Sequence, residues 1–329
     1  MNKVFITGGS GFIGSHFHDV IPHSNIINFD LKKPLSNLNS SFIQGDIRDI
    51  NQMRTALKAH TCDTILALAA EHKDFGLTKD DYFKTNALGT KNLCDVATEF
   101  NIDTIIFYSS VAVYGNNVIP SNEKMDPNPS NYYGESKFEG EKHIMKWVNE
   151  APNRKAIIVR PAVVYGERNI ANMFRLIQQI KSNRYFNIGN GKNVKSIAYV
   201  KNLVEATLFL NEHSAIGCSV YNYADSPQLS SREISNLIVK NLGNKQPLTI
   251  PYWVAYLLGL PFDLLIKITK KDLPISTSRI KKFCTETYHE ANKIFTAGFV
   301  PRYTNEEGLF NMVKWLENEY DSNQFYHNV

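Results

Sequence analysis

The sequence predicts an α/β protein built on a doubly wound parallel sheet, and three observations support this fold class. Short apolar, β-branched runs alternate with longer stretches of helical periodicity through the first half of the 329-residue chain. A glycine-rich stretch, residues 7–14, directly follows the first apolar run. After Arg168 the alternation becomes irregular. Because parallel strands need crossover connections, this order places helices on both faces of one sheet and leaves a second, smaller α/β lobe.

The individual elements follow from the same periodicities. The apolar runs predict six strands, over Val4–Thr7, Asn25–Phe29, Ser41–Ile43, Thr64–Leu68, Thr104–Tyr108 and Ala156–Val159. The periodic stretches predict helices over 12–20, 50–59, 80–100 and 132–149. The two lobes are not separated by a linker rich in Pro, Gly or Ser, so we expect the second lobe to be interleaved at the C-terminal end.

Composition and charge exclude several classes of protein. A net charge of +4 does not favour nucleic-acid binding. The cysteines are scattered at positions 62, 94, 218 and 284, which predicts reduced thiols, no metal site and a cytoplasmic protein. A first strand begins right after Lys3, which leaves no room for a signal peptide. No apolar run reaches the length of about 18 residues that a spanning helix needs.

The glycine-rich stretch predicts a dinucleotide site. Gly8, Gly11 and Gly14 lie between a strand and a helix, where they allow a tight turn, close approach of a pyrophosphate and close helix packing. The helix N-terminus then offers free N–H groups to the phosphates. Asp30 ends the second strand, where a carboxylate binds the ribose hydroxyls and repels a 2′-phosphate. We therefore expect NAD rather than NADP.

These features set the expected domain division. Residues 1–165 with 196–218 are expected to form the NAD-binding Rossmann domain, and 166–195 with 219–329 the substrate-binding lobe. Asp46 follows the third strand, where it could either line the cofactor edge or cap the next helix. Small residues end the fourth strand and would let the cofactor lie close to the backbone.

The stretch "YYGESK" raises the question of a catalytic tyrosine. A phenol with a pKa of about 10 needs nearby positive charge to act as a base at neutral pH. A lysine four residues later shares the helix face, and of the two tyrosines Tyr133 has that partner, Lys137. Ser109 and Ser110 end the fifth strand, where such sheets bind ligands, and could orient a substrate hydroxyl. Tyr132 is expected to pack as wall or core.

Together these motifs resemble the extended short-chain dehydrogenase/reductase family, especially its sugar 4-epimerases. "TGGSGFIG", "SSVAVYG" and "YGESK" are similar to the family's glycine, serine and Tyr-x-x-x-Lys motifs. The resemblance implies that Ser110, Tyr133 and Lys137 are catalytic and that Asn86 in "TNALGTKNL" supports the site. The residues that we expect to contact NAD are Gly8, Ser10, Gly11, Phe12, Ile13, Gly14, Asp30, Asp46, Ile47, Leu68, Ala69, Ala70, Asn86, Tyr133, Lys137 and Pro161.

Departures from the family pattern narrow the expected reaction. Related dehydratases carry an Asp-Glu pair after the catalytic hydroxyl residue, and Val111 and Ala112 stand there in this chain. Epimerases grip the UDP diphosphate with an arginine where this chain has Lys195, and their later R-x-G-D motif is absent. Those differences argue against a dehydratase and against a conventional UDP-sugar. The expected substrate contacts are Ser109, Ser110, Glu71, Asn169, Asn172 and Lys195.

In place of the missing motif stands an unusually apolar segment, residues 252–268, interrupted by Pro261 and Asp263. Lysines and an arginine follow it between 267 and 282. The segment could lie on the cytoplasmic leaflet with the basic residues meeting anionic lipid, or it could form a buried helix pair.

A narrower resemblance bears on that choice. "LAAEHKD", "GERNIANMFRLI", "KSIAYVKN" and "RIKKFC" are similar to bacterial undecaprenyl-diphospho-N-acetylglucosamine 4-epimerases. The resemblance implies an NAD-dependent 4-epimerase of a GlcNAc/GalNAc sugar on undecaprenyl diphosphate or UDP, in O-antigen assembly, acting as a homodimer. The alternatives are a 4-keto-sugar reductase with the same triad, a non-catalytic NAD-sensing protein on the same fold, and a sterol-type dehydrogenase.

Overall fold

The main sheet of the protein contains seven parallel strands. The computed structural model describes residues 1–34, 40–73, 76–115, 120–269 and 276–321. The strands of the main sheet are β1 (Val4–Thr7), β2 (Ile26–Asp30), β3 (Ser41–Gln44), β4 (Thr64–Ala67), β5 (Thr104–Tyr108), β6 (Lys155–Pro161) and β11 (Gly217–Tyr223). They lie in the order β11-β6-β5-β4-β1-β2-β3. The strand order reverses between β1 and β4, so the carboxyl ends of these two strands open a crevice where such sheets bind ligands.

The six predicted strands are confirmed, and the seventh, β11, was not predicted. It pairs with β6 from Gly217 opposite Lys155 to Tyr223 opposite Pro161. Its sequence, GCSVYNY, mixes polar and apolar residues and so lacks the apolar run that marks strands such as β1 and β4. Residues 219–223, which we assigned to the substrate lobe, therefore lie in the main sheet.

Helices cover both faces of the sheet, which confirms the doubly wound fold. On one face, the helices Ile50–Ala59, Gly89–Glu99 and Tyr132–Asn149 contribute to a core that includes Phe5, Phe107 and Trp147. On the other face, the helices Phe12–Phe17, Val200–His213 and Asn292–Thr296 contribute to a core that includes Phe17 and Leu203. The helices are α1 (Phe12–Phe17), α2 (Ile50–Ala59), α3 (Lys79–Tyr82), α4 (Gly89–Glu99), α5 (Tyr132–Asn149), α6 (Asn172–Lys181), α7 (Val200–His213), α8 (Ser231–Leu242), α9 (Tyr252–Thr269), α10 (Thr277–Cys284), α11 (Asn292–Thr296) and α12 (Asn305–Asn318).

A third core joins α6, α8 and α12 outside the main sheet, with Ile177, Ile238 and Met312 fully buried. Short two-stranded ladders accompany these helices. Their strands are β7 (Val163–Tyr165), β8 (Asn187–Ile188), β9 (Val194–Lys195), β10 (Ile197–Tyr199), β12 (Leu229–Ser230) and β13 (Thr249–Ile250). The two lobes are interleaved along the chain, because α6 of this third core lies between β6 and β11 of the main sheet, and α8 and α12 follow β11.

The predicted helix over 80–100 is interrupted by a π-helical segment, Phe83–Leu88, between α3 and α4. The predicted helix over 12–20 ends at Phe17. A 3-10 helix, Val111–Tyr114, follows β5 directly.

The apolar segment forms one continuous helix, α9, with Pro261 inside it. Two of its residues, Ala255 and Gly259, are buried. The alternative of an ordinary buried helix pair is therefore wrong, because most of its large apolar side chains face outward. By length and composition alone, α9 is the one helix among the described residues that could cross a membrane. Lys270 and Lys271, which we counted with the basic residues, lie outside the described residues.

Candidate active site

The glycine loop turns tightly between β1 and α1, at the crevice between β1 and β4. Gly8 adopts a φ of +75°, and a Cβ there would lie 2.7 Å from the backbone nitrogen of Ala69. A Cβ on Gly14 would lie 2.3 Å from the carbonyl oxygen of Gly8. Both positions therefore require glycine, since any side chain would separate the loop from β4 or α1.

Asp30, at the end of β2, faces the same loop. Its carboxylate accepts hydrogen bonds from the backbone N–H groups of Ser10 and Lys32, each at 3.0 Å. Burial raises the pKa of Asp30, although these backbone hydrogen bonds oppose the shift. Gly11, which precedes α1, offers no side-chain cap, so the first amides of α1 have no side-chain acceptor. A backbone cradle, open amides and an adjacent carboxylate fit the pyrophosphate and ribose of a dinucleotide.

Asp46 and Ile47, which we expect at the cofactor edge, follow the end of β3. Asp46 forms an ion pair of 2.6 Å with Arg48, and the hydrogen bonds from Arg48 outweigh burial and lower the pKa of Asp46. The residue that caps α2 is Asp49, so the helix-cap alternative for Asp46 is wrong. Ile47 is buried against Gly89, where an added Cβ would lie 2.7 Å from the Ile47 side chain.

Tyr133 and Lys137 lie one turn apart at the start of α5. The first turn is capped by Asn131, whose side-chain oxygen accepts from the Gly134 N–H at 2.8 Å. The Tyr133 ring is half-buried, with its centroid 6.3 Å from that of Tyr82. The Lys137 ammonium is fully buried 4.3 Å from the centroid of the Phe107 ring. Burial lowers the pKa of Lys137 to about 7, while the nearby charge of Glu141 opposes that shift.

Two glycines of α5 bring this helix against the end of β5. A Cβ on Gly134 would lie 2.5 Å from the carbonyl oxygen of Ala112, in the 3-10 helix that follows Ser110. A Cβ on Gly140 would lie 2.8 Å from the carbonyl oxygen of Asn86. Ser110 caps the 3-10 helix by accepting the Ala112 N–H at 3.1 Å. The elements that carry Tyr133 and Ser110 are therefore in direct contact.

Asn86, in the π-helical segment, joins two walls of the crevice. Its side-chain oxygen accepts the Glu71 N–H at 2.9 Å, and its side-chain nitrogen donates to the Glu71 carbonyl at 2.9 Å. The same nitrogen donates to Ser136 at 3.0 Å, and the Ser136 hydroxyl donates to the Tyr133 carbonyl at 2.8 Å. This connection positions the first turn of α5 relative to the loop after β4, and π-helical segments often occur at functional sites.

A buried polar network lies behind these residues, and sequence reasoning missed most of it. Arg160 donates to Glu141 at 2.8 and 2.6 Å and to the Tyr114 hydroxyl at 2.8 Å, so it forms a buried structural ion pair. The Tyr114 hydroxyl donates to Asn222, on β11, at 2.8 Å. Ser109 is buried and donates its hydroxyl to Glu141. We expected Ser109 to contact the substrate, but its hydroxyl is engaged by Glu141 within the buried network.

Three other expected substrate residues have internal or peripheral positions. Asn169 is buried and shapes a turn, with its side chain bonded to the Val164 carbonyl at 3.2 Å and the Ala171 N–H at 2.7 Å. Asn172 is exposed as the first residue of α6. The Lys195 ammonium donates to the backbone carbonyls of Lys282 at 3.0 Å and Thr285 at 2.5 Å. That arrangement caps the end of α10 and does not present the ammonium to a diphosphate.

Tyr132 does not occupy a core position, since its side chain is 51% exposed and the Lys79 ammonium lies 5.3 Å from its ring centroid. Tyr133, by contrast, is half-buried beside Tyr82.

A cleft of about 300 Å³ opens beside the 3-10 helix, and no motif pointed to it. Its lining includes Val194, Ala224, Gln228 and Ala291. Ala224 and Ala291 also pack with Ala162 against Val111, the residue after Ser110. The cleft therefore lies behind Val111 and reaches β9 at Val194, and its lining does not include Ser110, Tyr133 or Lys137.

Comparison with known proteins adds a family to this geometry. The NAD dependent epimerase/dehydratase family matches residues 4–224, which span the main sheet from β1 to β11. A relative from Escherichia coli O157:H7, described as N-acetyl-alpha-D-glucosaminyl-diphospho-ditrans,octacis-undecaprenol 4-epimerase, is 38% identical over 312 residues. That similarity covers 94% of this chain and 93% of the relative.

More distant proteins share the length and the fold. A decarboxylating sterol-4-alpha-carboxylate 3-dehydrogenase from Candida albicans is 27% identical, over 97% of this chain and 99% of its own. The structure of UDP-glucose 4-epimerase from Thermus thermophilus in complex with NAD aligns with a TM-score of 0.76 and 19% identity. The alignment covers 97% of this chain and 100% of that chain, which confirms the predicted fold.

Proposed function

This chain belongs to the NAD dependent epimerase/dehydratase family, and we propose on that premise that it is a 4-epimerase of a diphosphate-linked N-acetylhexosamine. Its cofactor is NAD, as the sequence predicted. The observation that carries the proposal is the Tyr133–Lys137 pair on α5, held by Gly134 against the element that begins at Ser110. The relative's 4-epimerase activity supports the same reaction for this chain.

Each catalytic residue has a separate task in the proposed reaction. NAD, when bound by the glycine loop and Asp30, supplies reversible hydride transfer at C4 of the sugar. Tyr133 accepts the proton of the 4-hydroxyl group as C4 becomes a ketone and returns it after the sugar has turned over. Lys137 favours the phenolate by its charge and would hold the nicotinamide ribose. Ser110 hydrogen-bonds the sugar O4 throughout.

The residues beside Ser110 favour epimerisation over dehydration. Val111 packs against Ala162, Ala224 and Ala291, and Ala112 packs against Gly134. These apolar side chains cannot give or accept the proton that elimination of water requires. The keto sugar would therefore return to an alcohol and leave no dehydrated product.

Undecaprenyl diphosphate is the carrier that we propose for the sugar, with UDP as the alternative. Lys195, at the position where epimerases grip UDP, donates to backbone carbonyls at the end of α10. The second lobe carries the exposed apolar helix α9 instead of a further phosphate-binding motif. A lipid-linked substrate would place the enzyme on the cytoplasmic face of the membrane, and the family resemblance predicts a homodimer.

The direct test compares Tyr133→Phe with Tyr132→Phe on undecaprenyl-diphospho-GlcNAc and on UDP-GlcNAc, with the sugar identified after mild acid release. We expect Tyr133→Phe to lower turnover by about 10²- to 10⁴-fold while NAD binding is retained. Tyr132→Phe, in a half-exposed side chain, should stay within about twofold of the wild type, since it touches no reacting atom. Full turnover by Tyr133→Phe would refute the proposed base.

The same assay separates the 4-epimerase from a 4-keto-sugar reductase. An epimerase regenerates its cofactor in each cycle, so enzyme-bound NAD supports repeated turnover without added NADH. A reductase would instead convert an added 4-keto sugar to product and consume one NADH for each product molecule. That result would assign the reductase.

A further inference from the structure

We propose that α9 and α10 form a lipid-docking hairpin that lies in the plane of an anionic membrane surface. The hairpin consists of residues 252–269 and 276–284. Its role in catalysis rests on the proposed function, because it would bring the cleft to the surface that carries a lipid-linked sugar.

The exposed face of α9 is a continuous apolar stripe. Its members follow helical spacing at i, i+4, i+7, i+11 and i+15, so they share one side of the helix. The stripe and its exposed fractions are Trp253 (65%), Leu257 (54%), Leu260 (44%), Leu264 (60%) and Ile268 (69%). Leu258 and Leu265 widen it on one side. Such a stripe on a soluble protein marks an interaction site.

The apolar surface continues beyond the helix. Phe186 and Leu248 are 46% and 72% exposed. The residue after Phe186, Asn187, donates its N–H to the Leu248 carbonyl at 2.9 Å, so the two segments run side by side. The β8–β13 ladder that follows them leads directly into the first residue of α9, Tyr252. Aromatic side chains at this end, Tyr252 and Trp253, suit the polar–apolar boundary of a bilayer.

The opposite side of α9 is fixed to α10, which sets the orientation of the hairpin. A Cβ on Gly259 would lie 3.1 Å from the Thr277 backbone nitrogen, so the helices touch there. Asp263 accepts from the Thr277 N–H at 3.0 Å and from the Thr277 hydroxyl at 2.5 Å. A spanning α9 would carry this carboxylate and the polar α10 into hydrocarbon, at high cost. Docking in the plane of the surface leaves them in water.

The charge of the hairpin selects an anionic surface over a second copy of the chain. Helices α9 and α10 contain four basic side chains and one acidic side chain, and that acid, Asp263, is engaged by Thr277. Lys267 and Lys281 are exposed near the stripe. Two copies packed through this face would bring like charges together, whereas anionic lipid attracts each lysine.

The hairpin is also attached to the wall of the cleft. The Lys195 ammonium binds the carbonyls at the end of α10, and Asn193 donates to the Phe283 carbonyl at 3.0 Å. Val194, between these two residues, lines the cleft. Docking of α9 would therefore hold the cleft at the membrane surface, within reach of a diphosphate head group.

Vesicle sedimentation tests the docking itself. Wild-type protein should sediment with phosphatidylcholine–phosphatidylglycerol vesicles and much less with phosphatidylcholine alone. The stripe variant, which combines Trp253→Glu, Leu257→Glu and Leu264→Glu, should lower vesicle binding at least about tenfold. The charge variant, which combines Lys267→Glu and Lys281→Glu, should remove the preference for anionic lipid. Ile216→Glu/Val300→Glu, at exposed apolar positions outside the hairpin, should bind as the wild type does. NAD binding by each variant shows that it is folded.

Tryptophan fluorescence reports the depth of the helix. Trp147 and Trp315 are buried, so Trp253 is the exposed indole that should shift to the blue on anionic vesicles and be quenched by lipids brominated near the head group. Trp253→Phe should abolish that change. Failure of the wild type to bind anionic vesicles would overturn the proposal. The proposal would also be overturned if the wild type self-associates without vesicles and the stripe variant does not, because the stripe would then bind a second copy of the chain.

Turnover separates this inference from the proposed function. The stripe variant should lose activity on lipid-linked GlcNAc embedded in vesicles and keep activity on the same substrate in detergent. Vesicle binding without turnover of any sugar would refute the epimerase and leave the docking intact. Equal turnover of embedded substrate by the wild type and the stripe variant would refute the docking role and leave the epimerase intact.

Discussion

Arg160, on β6, and Glu141, on α5, form a buried ion pair with two hydrogen bonds of 2.8 and 2.6 Å. Glu141 is fully buried one turn beyond Lys137 and also accepts the Ser109 hydroxyl. The pair thus fastens α5, which carries Tyr133 and Lys137, to the sheet and places a negative charge next to the buried ammonium of Lys137.

Loss of one partner of this pair should cost much of the protein's stability. Arg160→Met leaves an uncompensated carboxylate in the core, so we expect the free energy of unfolding to fall by about 3–5 kcal/mol. Urea denaturation followed by far-UV circular dichroism measures the change. Lys91→Met is the matched control, because its pair with Asp95 is exposed and should contribute less than about 1 kcal/mol. Equal losses in the two variants would contradict this role for the Arg160–Glu141 pair.

Stability of the cofactor-free protein should rise with pH because of Lys137. Its folded-state pKa lies at about 7, below the value of about 10.4 for an unfolded chain. Between these pH values the unfolded state binds more protons, so raising the pH favours folding. Below about pH 7 both states are protonated and the penalty for the buried ammonium is fully present.

The measurement compares urea midpoints of the wild type and Lys137→Met from about pH 7 to about pH 10. We expect the variant to be the more stable protein near pH 7 and its advantage to shrink as pH rises. Lys142→Met, which removes an ammonium that is 52% exposed, should show a constant difference from the wild type. A constant difference for Lys137→Met as well would contradict the assignment.

Asn86 should affect turnover by positioning α5. Asn86→Ala removes the partners of the Glu71 N–H, the Glu71 carbonyl and Ser136, so it should lower stability and reduce kcat about 10- to 100-fold through displacement of Tyr133. Asn92→Ala is the control, since this buried asparagine donates to the carbonyls of Ile47 and Arg48, away from Tyr133. If both variants lose stability and kcat in the same proportion, Asn86 is structural and positions nothing.

Asp30 should determine the preference for NAD. Asp30→Ser removes the carboxylate at the end of β2 that repels a 2′-phosphate, so the ratio of NAD affinity to NADP affinity should fall at least about tenfold. Fluorescence titration of each cofactor measures the ratio. Asp46→Ser, which removes a carboxylate already paired with Arg48, should leave the ratio within about twofold. An unchanged ratio in Asp30→Ser would assign the preference to other residues.

Much of the fold could be predicted from the sequence because the patterns that indicate it involve residues close together in the chain. Strands β1, β4 and β5 are mainly apolar runs in which almost every residue is buried, as expected for strands covered on both faces. The glycine loop, Asp30 and the Tyr133–Lys137 pair each depend on spacing within one or two elements. By contrast, β11 is recognisable from its seven pairings with β6, which sequence periodicity does not record.

The parts that sequence reasoning placed differently all depend on distant partners. Ser109 and Ser110 are neighbours after the same strand, and both were expected to contact substrate, but Glu141, on another element, engages the Ser109 hydroxyl. The sequence position of Lys195 suggests a phosphate ligand, but in the folded chain its ammonium donates to carbonyls at the end of α10. The apolar composition of α9 suits a core and a membrane equally, and burial distinguishes the two.

By itself the sequence determined the first six strands of the main sheet with the helices between them, the dinucleotide loop, and the candidate base with its lysine. Each of these follows from backbone conformation and from side chains a few residues apart. Tertiary structure decided which polar groups face the crevice and which are engaged by the core, and it left the face of α9 open. Hydrogen bonding and burial join residues that are far apart in the chain, so the partner of a serine, a lysine or a leucine is known only once the chain has folded.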